Sequence, residues 1–572
     1  MAAIPWRSPE PPAAGGAPVP GLDQLPILPA ADTVSALTQG AAAAATVPVL
    51  MRWIRDRRWF RSRTRHSAGL TVRDVVPVPM EARSAAVLLA EMTYTVGDPE
   101  LYLIPLAILG MNDATAILEA SPQAAIGRIA SATGPKRERL LVDAALDPAF
   151  MTAVLDAIGA GRRFRGRHGE LAGRPEKTFQ AVVGSDLGFL VPTPIRGEQS
   201  NSSTIFGDRA ILKLYRVTQP GINPDLEVGR MLTKRGFAQT PAIAGSMEYR
   251  PDEGQAMTAV LVSGFVPNEG NLFRHTLEEL GGFFERSTAG ARRVHAGDLD
   301  PAGLLTAAGM RPPVDVRKAI GPYLETAHLA GIRTGEMHQT LAGVTDDPSF
   351  APEAFSVPYQ RSLYQSIGGS TRRAMDLLAR RIDDLPEGAA READQILADR
   401  TRIDRHLQML LSHAFGGLRI RTHGDLHAEQ ILYTGHDLAI IDFEGEPTRP
   451  LAERRLKRSA LRDVAGMLRS FHYASYGSLL RPEMGVTIRP EDVEDLAGWV
   501  MTWNQWVGAS FLAGYRAATQ GAAFLPTDDA DRATLLRAFM LEKACYELVY
   551  ELNNRPSWAL IPIRGILQLL EG

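Results

Sequence analysis

Apolar residues follow two different patterns in the two parts of this 572-residue chain. Before residue 266, short apolar runs separated by turn residues predict strands, as at 71–78 and 86–95. Beyond residue 277, apolar residues at spacings of three and four predict helices, as at 529–551. Because strands and helices are segregated rather than alternating, the pattern predicts an α+β fold and not a series of βαβ units.

The chain is too long for one hydrophobic core, since single cores stop growing at about 250–300 residues. Two to four domains are therefore expected. Residues 1–45 are rich in Pro, Ala and Gly, which predicts a flexible tail or linker. Residues 161–177 are basic and Gly-rich, which predicts an exposed loop.

Composition disfavours several classes of protein. The formal net charge of −3 and the pI of about 6.5 lack the basic excess of a nucleic-acid-binding protein. The sequence has no apolar run of about 18 residues, so we predict no membrane-spanning helix. Cys545 is the single cysteine, which excludes an intrachain disulfide and suits a reducing cytosol, where we expect the protein.

Residues 423–444 have the spacing of a kinase catalytic loop. A phosphoryl-transfer site needs a carboxylate near the acceptor hydroxyl and oxygen ligands for Mg²⁺. Asp425 precedes Gln430 by five residues, and Asp442 follows the short apolar strand 439–441. Two ordinary loop aspartates flanking a buried strand are the alternative. The combined spacing favours phosphoryl transfer, with Asp425 as the base and Gln430 and Asp442 as metal ligands.

A kinase also needs a phosphate-binding element upstream, on a sheet. Residues 199–203 form a Ser-rich turn whose backbone N–H groups can bind phosphate oxygens, so Ser202 and Ser203 are candidate contacts. Lys213 lies in an apolar strand and is one of seven lysines, compared with 55 arginines (62 − 7). A buried ammonium is costly without an anion, which favours an ATP-phosphate lysine over an edge-strand lysine that reaches solvent.

Two further elements complete the expected nucleotide site. Glu227 is the expected carboxylate partner of Lys213, at a helix start capped by Asn223. The alternative is an exposed first-turn glutamate that favours the helix dipole. Val262 and Phe265 are candidate adenine contacts by position alone, after the last strand. The sequence contains no Gly-x-x-x-x-Gly-Lys-Ser/Thr P-loop, so the Ser-rich turn is expected to hold the phosphates.

Near the C-terminus, four polar and aromatic residues share one face of a predicted helix: Lys543, Tyr546, Tyr550 and Asn554. Amphipathic tyrosines and a lysine can stack on and hydrogen-bond a sugar. On periodicity alone, a stripe of tyrosines at the edge of the core is the better interpretation. Arg555 follows, and the next residue is a proline that is expected to end the helix.

Several segments resemble the maltokinases, including those fused to trehalose synthase. The loop 423–430 is shared more widely, with aminoglycoside phosphotransferases and choline kinases. The narrower resemblance rests on Glu-Gln-Ser-Asn-Ser at 198–202, Gly-Ile-Asn-Pro-Asp-Leu-Glu at 221–227, Ile-Asp-Phe-Glu-Gly-Glu-Pro at 441–447, the segment 461–471, and Tyr-Glu-Leu-Asn-Asn-Arg-Pro at 550–556. It covers roughly residues 46–572.

The resemblance implies a bilobal, protein-kinase-like fold. An N-terminal cap subdomain (46–110) would rest on a β-rich small lobe (111–265), followed by a mainly helical large lobe (266–572). It also implies ATP and Mg²⁺ as cofactors, with phosphates held by Lys213. The large lobe would bind maltose and produce maltose 1-phosphate for α-glucan and glycogen synthesis, with trehalose synthase as a possible partner.

For the sugar site, the resemblance reverses the interpretation of the tyrosine stripe. The implied substrate contacts are His423, His427, Lys543, Tyr546, Tyr550, Asn554 and Arg555. Glu429 departs from the family pattern and places a negative charge beside the expected metal ligands. Three alternatives remain open: a kinase for another sugar such as glucosamine, a non-catalytic partner of trehalose synthase, and an aminoglycoside resistance enzyme.

Overall fold

The computed structural model describes residues 22–63, 65–81, 83–130, 139–195, 200–289, 299–486, 488–489 and 492–571. These residues form two compact units. The N-terminal unit contains the described residues up to Thr233 together with Pro241–Pro267. The C-terminal unit contains Lys234–Thr240 and the described residues from Asn268 onward.

The N-terminal unit is mainly β. Its helices are α1 (Val34–Thr38), α2 (Gly40–Arg55), α3 (Met111–Ala120), α4 (Pro148–Gly159), α5 (Phe179–Val183) and α6 (Pro224–Lys234). Its strands are β1 (Ile27–Leu28), β2 (Ser67–Met80), β3 (Arg83–Tyr94), β4 (Glu100–Gly110), β5 (Ala125–Ile129), β6 (Arg139–Asp143), β7 (Arg163–Arg165), β8 (Gly169–Pro175), β9 (Pro192–Pro194), β10 (Ser202–Phe206), β11 (Ala210–Leu214), β12 (Val217–Thr218), β13 (Ile243–Pro251) and β14 (Met257–Gly264).

These strands form two sheets. The first has the order β1-β5-β6-β4-β3-β2, with β12 also paired to β4. The second has the order β7-β8-β13-β14-β11-β10-β9. The strands predicted at 71–78 and 86–95 are confirmed as parts of β2 and β3, which pair in antiparallel orientation.

The first sheet is buried on both faces, which explains why β3 and β4 are nearly continuous apolar runs. Alternate side chains of a strand point to opposite faces. Odd-numbered residues such as Val87 and Leu103 enter one hydrophobic cluster, and even-numbered residues such as Leu88 and Ile104 enter another. A strand covered on one face only would have alternated apolar and polar residues.

The predicted tail at 1–45 is wrong for the residues that the structure describes. Residues 1–21 lie outside the described part, but α1 and the start of α2 fall within 22–45. Alanine is the best helix former, so an alanine run that resembles low complexity folds once an apolar face can be buried. Here Val34, Leu37 and Leu50 supply that face and pack in the cluster on one side of the first sheet.

The predicted exposed loop at 161–177 is also wrong, because this segment contains β7 and β8. These strands pair as a hairpin, and β8 continues the second sheet against β13. The arginines that suggested a loop lie on the exposed side, whereas Phe164 and Leu171 are buried.

The C-terminal unit is mainly helical. Its helices are α7 (Leu272–Ala289), α8 (Pro301–Ala307), α9 (Val314–Ile320), α10 (Tyr323–Ala342), α11 (Val357–Arg381), α12 (Glu387–Ala398), α13 (Arg400–Gln408), α14 (Leu451–Arg454), α15 (Leu461–Leu480), α16 (Val493–Ala518), α17 (Asp529–Asn554) and α18 (Leu560–Glu571). Its short strands are β15 (Glu353–Ala354), β16 (Leu418–Arg419), β17 (Ile431–Tyr433) and β18 (Leu438–Ile440). They form two separate two-stranded sheets, β15-β16 and β17-β18.

Helix α15 lies at the centre of this unit. It contacts α7, α16, α17 and α18, and nearly all of its residues are buried. A helix that is covered on all sides needs no polar face. The few polar side chains that α15 does bury therefore have specific partners, described below. Within the described part of the chain, no helix is both long enough and apolar enough to span a membrane.

Candidate active site

The loop between β16 and β17 is held by one buried carboxylate. Asp463, in the first turn of α15, accepts hydrogen bonds from the backbone N–H groups of His423 (2.8 Å) and Gly424 (3.0 Å). Its Oδ2 also lies 3.0 Å from Nε2 of His338. Burial opposes ionisation of Asp463, but the hydrogen bond and charge of His338 lower its pKa overall. Asp463 is therefore an anion that fixes the backbone immediately before Asp425.

His423 has a structural position that corrects its expected role as a sugar contact. Its side chain is buried, with 2% of the residue exposed. The ring Nε2 lies 2.8 Å from the carbonyl oxygen of Ile441, and the backbone N–H of Asp425 donates to its Nδ1 over 3.4 Å. Both ring nitrogens are thus engaged within the protein, and the ring joins the catalytic loop to the chain just before Asp442.

The β17-β18 hairpin brings the predicted metal ligands to one end of a small sheet. Gln430 immediately precedes β17, and Asp442 follows β18 by two residues. The backbone N–H of Ile441 donates to the carbonyl oxygen of Gln430 over 2.9 Å, which closes this end of the hairpin. The amide and carboxylate oxygens are hard ligands of the type that Mg²⁺ prefers, so the pair fits that ion.

Asp442 has an unusual backbone conformation. Its φ is 66°, and among the described residues it is the single non-glycine residue with positive φ. A left-handed conformation costs a non-glycine residue of order 1–3 kcal/mol and clusters at functional sites. The backbone N–H of Ile441 bonds to Gln430 and its carbonyl oxygen bonds to His423, and these two hydrogen bonds hold the chain in this conformation. The strain supports a functional assignment for Asp442.

Asp425 forms an ion pair with Lys543 on α17, with 2.8 Å between Oδ1 and Nζ. Burial alone would raise the pKa of Asp425, but the charge of Lys543 outweighs it and holds that pKa below its usual range. Burial alone would lower the pKa of Lys543, and Asp425 raises it above its usual range. Both groups are therefore ionised across the neutral pH range.

This ion pair lines a cavity of about 790 Å³ within the C-terminal unit. Small-molecule sites have volumes of about 300–1,000 Å³. One wall is formed by α11, through residues including Ser366, Ser370 and Leu377. Another part of the lining is formed by α17, through Lys543 and Tyr546. The cavity is thus large enough for a small polar molecule beside the carboxylate of Asp425.

Five of the six carboxylates in the described lining of this cavity are paired with a lysine or an arginine, and the sixth, Asp463, faces His338. Besides Asp425 with Lys543 and Asp463 with His338, the pairs are Glu446 with Arg449 (2.7 Å), Glu453 with Arg449 (3.5 Å), Glu542 with Arg462 (3.0 Å) and Asp376 with Arg400 (2.9 Å). Most of the carboxylate charge on the cavity wall is therefore balanced by basic residues of the protein. Such a wall presents hydrogen-bonding groups without a strong net preference for a charged ligand.

The predicted sugar contacts divide into two groups. Tyr546 lines the cavity, 5.1 Å from Lys543 Nζ to its ring centre, and burial raises its pKa to about 12. Tyr550, Asn554 and Arg555 are not among the residues that line it. Arg555 donates to Glu551 over 2.7 Å, and Asn554 donates to the carbonyl oxygen of Tyr550 over 2.8 Å. These contacts stabilise the C-terminal end of α17.

His427 follows Asp425 by two residues and is partly exposed. Burial lowers the pKa of His427 below its usual value despite the nearby charges of Asp425 and Glu429. The imidazole is therefore neutral at neutral pH and can donate or accept a hydrogen bond. Its Nε2 lies 3.5 Å from the side-chain nitrogen of Gln430.

In the N-terminal unit, Lys213 on β11 forms an ion pair with Asp225, with 2.9 Å between Nζ and Oδ2. Asp225 is in the first turn of α6, where the side chain of Asn223 caps the helix by accepting its N–H over 3.0 Å. The predicted cap is confirmed. The predicted partner of Lys213 was Glu227, two residues further along the same turn, and Asp225 was not predicted.

Of the predicted Ser-rich turn, residue 199 lies outside the described residues, and Ser202 and Ser203 begin strand β10. Ser203 is paired with Lys213 across β10 and β11, and Ser202 with Leu214. Val262 does not fit its expected contact with adenine, because it lies inside β14 with its side chain fully buried in the hydrophobic core. Phe265 is half-buried just beyond β14, and its N–H donates to the carbonyl oxygen of Arg209 over 2.8 Å.

Sequence reasoning missed two important carboxylates, Asp225 and Asp463. Each occurs in the first turn of a helix, where an acidic residue is normally explained by the helix dipole. Their partners lie 12 and 40 residues away, at Lys213 and His423. For Asp463 the sequence did contain a signal, because a charged residue within an otherwise mainly apolar helix indicates a buried polar partner.

Comparisons with known proteins find a matching cap domain and similar sugar kinases. The family profile of the maltokinase N-terminal cap domain matches residues 53–147. A glucosamine kinase from Streptacidiphilus jiangxiensis is 24% identical over 449 residues, covering 74% of this chain and 86% of that protein. A glucosamine kinase from Mycolicibacterium smegmatis is 23% identical over 379 residues, covering 66% and 79%.

Solved structures show the same fold at low sequence identity. A glucosamine kinase in complex with glucosamine, ADP and inorganic phosphate aligns with a TM-score of 0.54 at 18% identity, covering 89% of this chain and 96% of that chain. A second crystal form of a glucosamine kinase aligns with a TM-score of 0.55, covering 92% and 97%. The chain thus has a kinase-like α+β fold, its residues 53–147 match the maltokinase N-terminal cap domain, and its sequence is similar to those of glucosamine kinases.

Proposed function

We propose that this protein is an ATP-dependent sugar kinase that phosphorylates maltose at its anomeric hydroxyl. The observation that carries the proposal is the Asp425–Lys543 ion pair in the wall of a cavity large enough for a disaccharide. The hairpin that presents Gln430 and Asp442 follows in the same stretch of chain. The maltokinase cap domain and the sequence relationship to sugar kinases support the same reaction class.

In the proposed reaction, the anomeric oxygen of the sugar attacks the γ-phosphorus of ATP. A new P–O bond forms, the bond from the γ-phosphorus to the β,γ-bridging oxygen breaks, and ADP leaves. Asp425 accepts a hydrogen bond from the sugar hydroxyl and takes its proton. Because Lys543 lowers the pKa of Asp425, the carboxylate is a weak base whose first task is to orient the hydroxyl. Late proton transfer suits the loose transition state of phosphoryl transfer.

Gln430 and Asp442 would hold Mg²⁺, which neutralises charge that develops on the phosphate oxygens. Lys213 would contact the phosphates of ATP, together with the backbone of Ser202 and Ser203 at the start of β10. Asp225 holds the ammonium of Lys213 in place, which is the usual task of the carboxylate partner of a kinase lysine. Glu227 remains a candidate for the same task. Phe265 remains a candidate contact for adenine.

The cavity favours a neutral acceptor over an amino sugar. Glucosamine carries an ammonium group at neutral pH, and its recognition calls for a carboxylate whose charge is not already balanced by the protein. Five of the six carboxylates in the described lining are paired with a lysine or an arginine, as given above. Tyr546 adds an aromatic ring of the kind on which sugar rings stack. Glucosamine stays as the second candidate, because the related kinases are described as glucosamine kinases.

The proposal also covers the setting of the reaction. Maltose 1-phosphate would feed α-glucan and glycogen synthesis, and a trehalose synthase would be the neighbouring enzyme and possible partner. We place the protein in the cytosol, because its single cysteine is a buried thiol and burial raises the pKa of that thiol to about 12. Such a thiol is unreactive and makes no use of an oxidising compartment.

The test is an ADP-release assay with ATP and Mg²⁺ against maltose, glucose, glucosamine, trehalose and kanamycin, with ³¹P NMR of the product. We expect turnover with maltose and an anomeric phosphate in the product. The Asp425→Asn variant, which keeps the shape of the side chain, is expected to lose several orders of magnitude in kcat.

Each alternative result has a distinct meaning. Turnover with glucosamine alone would keep the kinase mechanism and reject the argument from paired carboxylates. Turnover with kanamycin would indicate an aminoglycoside kinase. No turnover with any acceptor, together with no binding of ADP, would reject the kinase and favour a non-catalytic partner of trehalose synthase.

A further inference from the structure

The acceptor cavity extends along one face of α11. Residues of this helix line the cavity at spacings of three and four: Ser366, Ser370, Arg373, Leu377 and Arg380. Residues at such spacings share one face of a helix. Over these 14 residues (380 − 366) the helix rises by about 21 Å, since each residue adds about 1.5 Å. The cavity therefore follows α11 for about four helical turns.

Two contacts show how α11 and α17 lie beside each other. Sγ of Cys545 lies 3.9 Å from Oγ1 of Thr371, and Arg381 donates to the carbonyl oxygen of Leu552 over 3.2 Å. Residue numbers increase in the same direction along both helices, so the two helices run side by side and parallel. Lys543 precedes Cys545 by two residues, which places its ion pair with the proposed base close to the level of Thr371.

Beyond this ion pair, the cavity continues toward Arg380. Nine residues (380 − 371) separate Thr371 from Arg380, which is a rise of about 14 Å along the helix. A pyranose ring measures about 5 Å from its anomeric oxygen to its 4-oxygen, because its single bonds are about 1.5 Å long. Two linked rings that start at the base therefore cover about 10 Å. The part of the cavity beside Arg380 is left for a third ring.

The outer part of the cavity has the chemistry of a sugar subsite. Arg373 and Arg380 line it, and among the residues that the structure describes neither of them forms an ion pair with a carboxylate. Their guanidinium groups therefore have N–H donors available for sugar hydroxyls. Leu377 and Val549 are half-buried in the same lining and offer apolar surface to the face of a pyranose ring. The leucine between the two arginines favours a sugar ring over a small anion.

We propose that Leu377, Arg380 and Val549 form an outer subsite for a third glucosyl unit. The acceptors then include linear α-glucan oligosaccharides longer than maltose. Arg380 is the specificity-determining residue, because it is the last residue of α11 in the described lining. The inference rests on the proposed function, because it assumes that the anomeric hydroxyl of the glucan lies at Asp425.

The test compares maltose, maltotriose and maltotetraose as acceptors in the ADP-release assay. The variants are Arg380→Ala and a matched control, Arg372→Ala. Arg372 is an exposed arginine of the same helix that lies outside the described lining of the cavity. The values of kcat and KM are determined separately for each acceptor, and thermal unfolding reports on the fold of each variant.

We expect the wild type to phosphorylate maltotriose with a kcat/KM at least equal to that for maltose, and to gain nothing further with maltotetraose. Arg380→Ala should raise the KM for maltotriose by about three- to tenfold, the effect of one hydrogen bond. Its kcat should not change, because the contact is the same in the ground state and the transition state. Both constants for maltose should stay at the wild-type values, and Arg372→Ala should match the wild type throughout.

The possible failures are distinct. Turnover of maltose without turnover of maltotriose would overturn the inference and leave the proposed function standing. An equal effect of Arg380→Ala on the two acceptors, or an equal loss in Arg372→Ala, would have the same meaning. No turnover of any of the three glucans would reject the proposed acceptor, and the inference with it.

Discussion

Replacing Gly466 with alanine should displace the catalytic loop while leaving the fold intact. Gly466 lies in α15, and a Cβ atom at this position would lie 2.3 Å from the carbonyl oxygen of Leu426, the residue after Asp425. Ordinary contacts begin at 3.4 Å, so the loop must move by about 1 Å (3.4 − 2.3). A misplacement of 1 Å in a catalytic group can cost about 100-fold in rate. We therefore expect kcat to fall by about two orders of magnitude.

The assay is steady-state kinetics with the acceptor sugar that the ADP-release assay identifies, together with urea unfolding followed by tryptophan fluorescence. Gly498→Ala is the matched control, because Gly498 lies in α16 with no atom within 4 Å of an added Cβ. The control should gain about 0.5–1 kcal/mol from helix propensity and keep full activity. Gly466→Ala should have the same gain in helix propensity, but overpacking should lower its free energy of unfolding by about 1–3 kcal/mol. Wild-type turnover in Gly466→Ala would refute the argument that α15 sets the loop position.

Three further predictions follow from the contacts. Asp463→Asn replaces a carboxylate that accepts from two backbone N–H groups with an amide that has one oxygen acceptor, so it should lose about 2–4 kcal/mol of stability. The control Asp384→Asn, at an exposed position, should change the stability by less than about 0.5 kcal/mol. Folding lowers the pKa of Asp463, so its carboxylate stabilises the fold above the usual carboxyl pKa of about 4, and this stabilisation is lost as the pH falls through the pKa of Asp463 in the folded protein. The difference in free energy of unfolding between wild type and Asp463→Asn, measured in urea, should therefore narrow below about pH 4. Lys543→Met should move the acidic limb of the pH profile of kcat/KM to higher pH, since Lys543 lowers the pKa of Asp425, and an unmoved limb would argue against Asp425 as the base. Lys213→Met should raise the KM for ATP in initial-rate measurements and leave the KM for the acceptor unchanged, and the opposite pattern would place Lys213 outside the nucleotide site.

The sequence correctly predicted those elements that are determined by residues close together in the chain. The strands β2 and β3, the cap of α6 by Asn223 and the long helix α17 are all present. The position of Gln430 and Asp442 at one end of a hairpin also follows from a short apolar run between two polar residues. These features are determined within about 25 residues of chain, where propensity and periodicity act.

The errors have a common cause. The alanine-rich segment before residue 45 and the arginine-rich segment at 161–177 have compositions typical of mobile chain, yet the structure places α2 and the β7–β8 hairpin there. Burial of an apolar face against a distant element decided both cases, since tertiary packing overrides composition. His423 was likewise expected to contact sugar, but burial and two internal hydrogen bonds give its ring a structural position.

The sequence alone determined the reaction class that we propose, because the chemistry of phosphoryl transfer requires specific side chains at short spacings in one loop. It could not determine which partners tune those side chains. Asp425 is paired with a lysine 118 residues away, and its loop is held by a carboxylate about 40 residues away. Such pairs are set by how helices pack, and helix packing leaves no periodic signal in one sequence. The tertiary structure therefore decided the charge state of the base, the position of its loop and the balance of charge in the acceptor cavity.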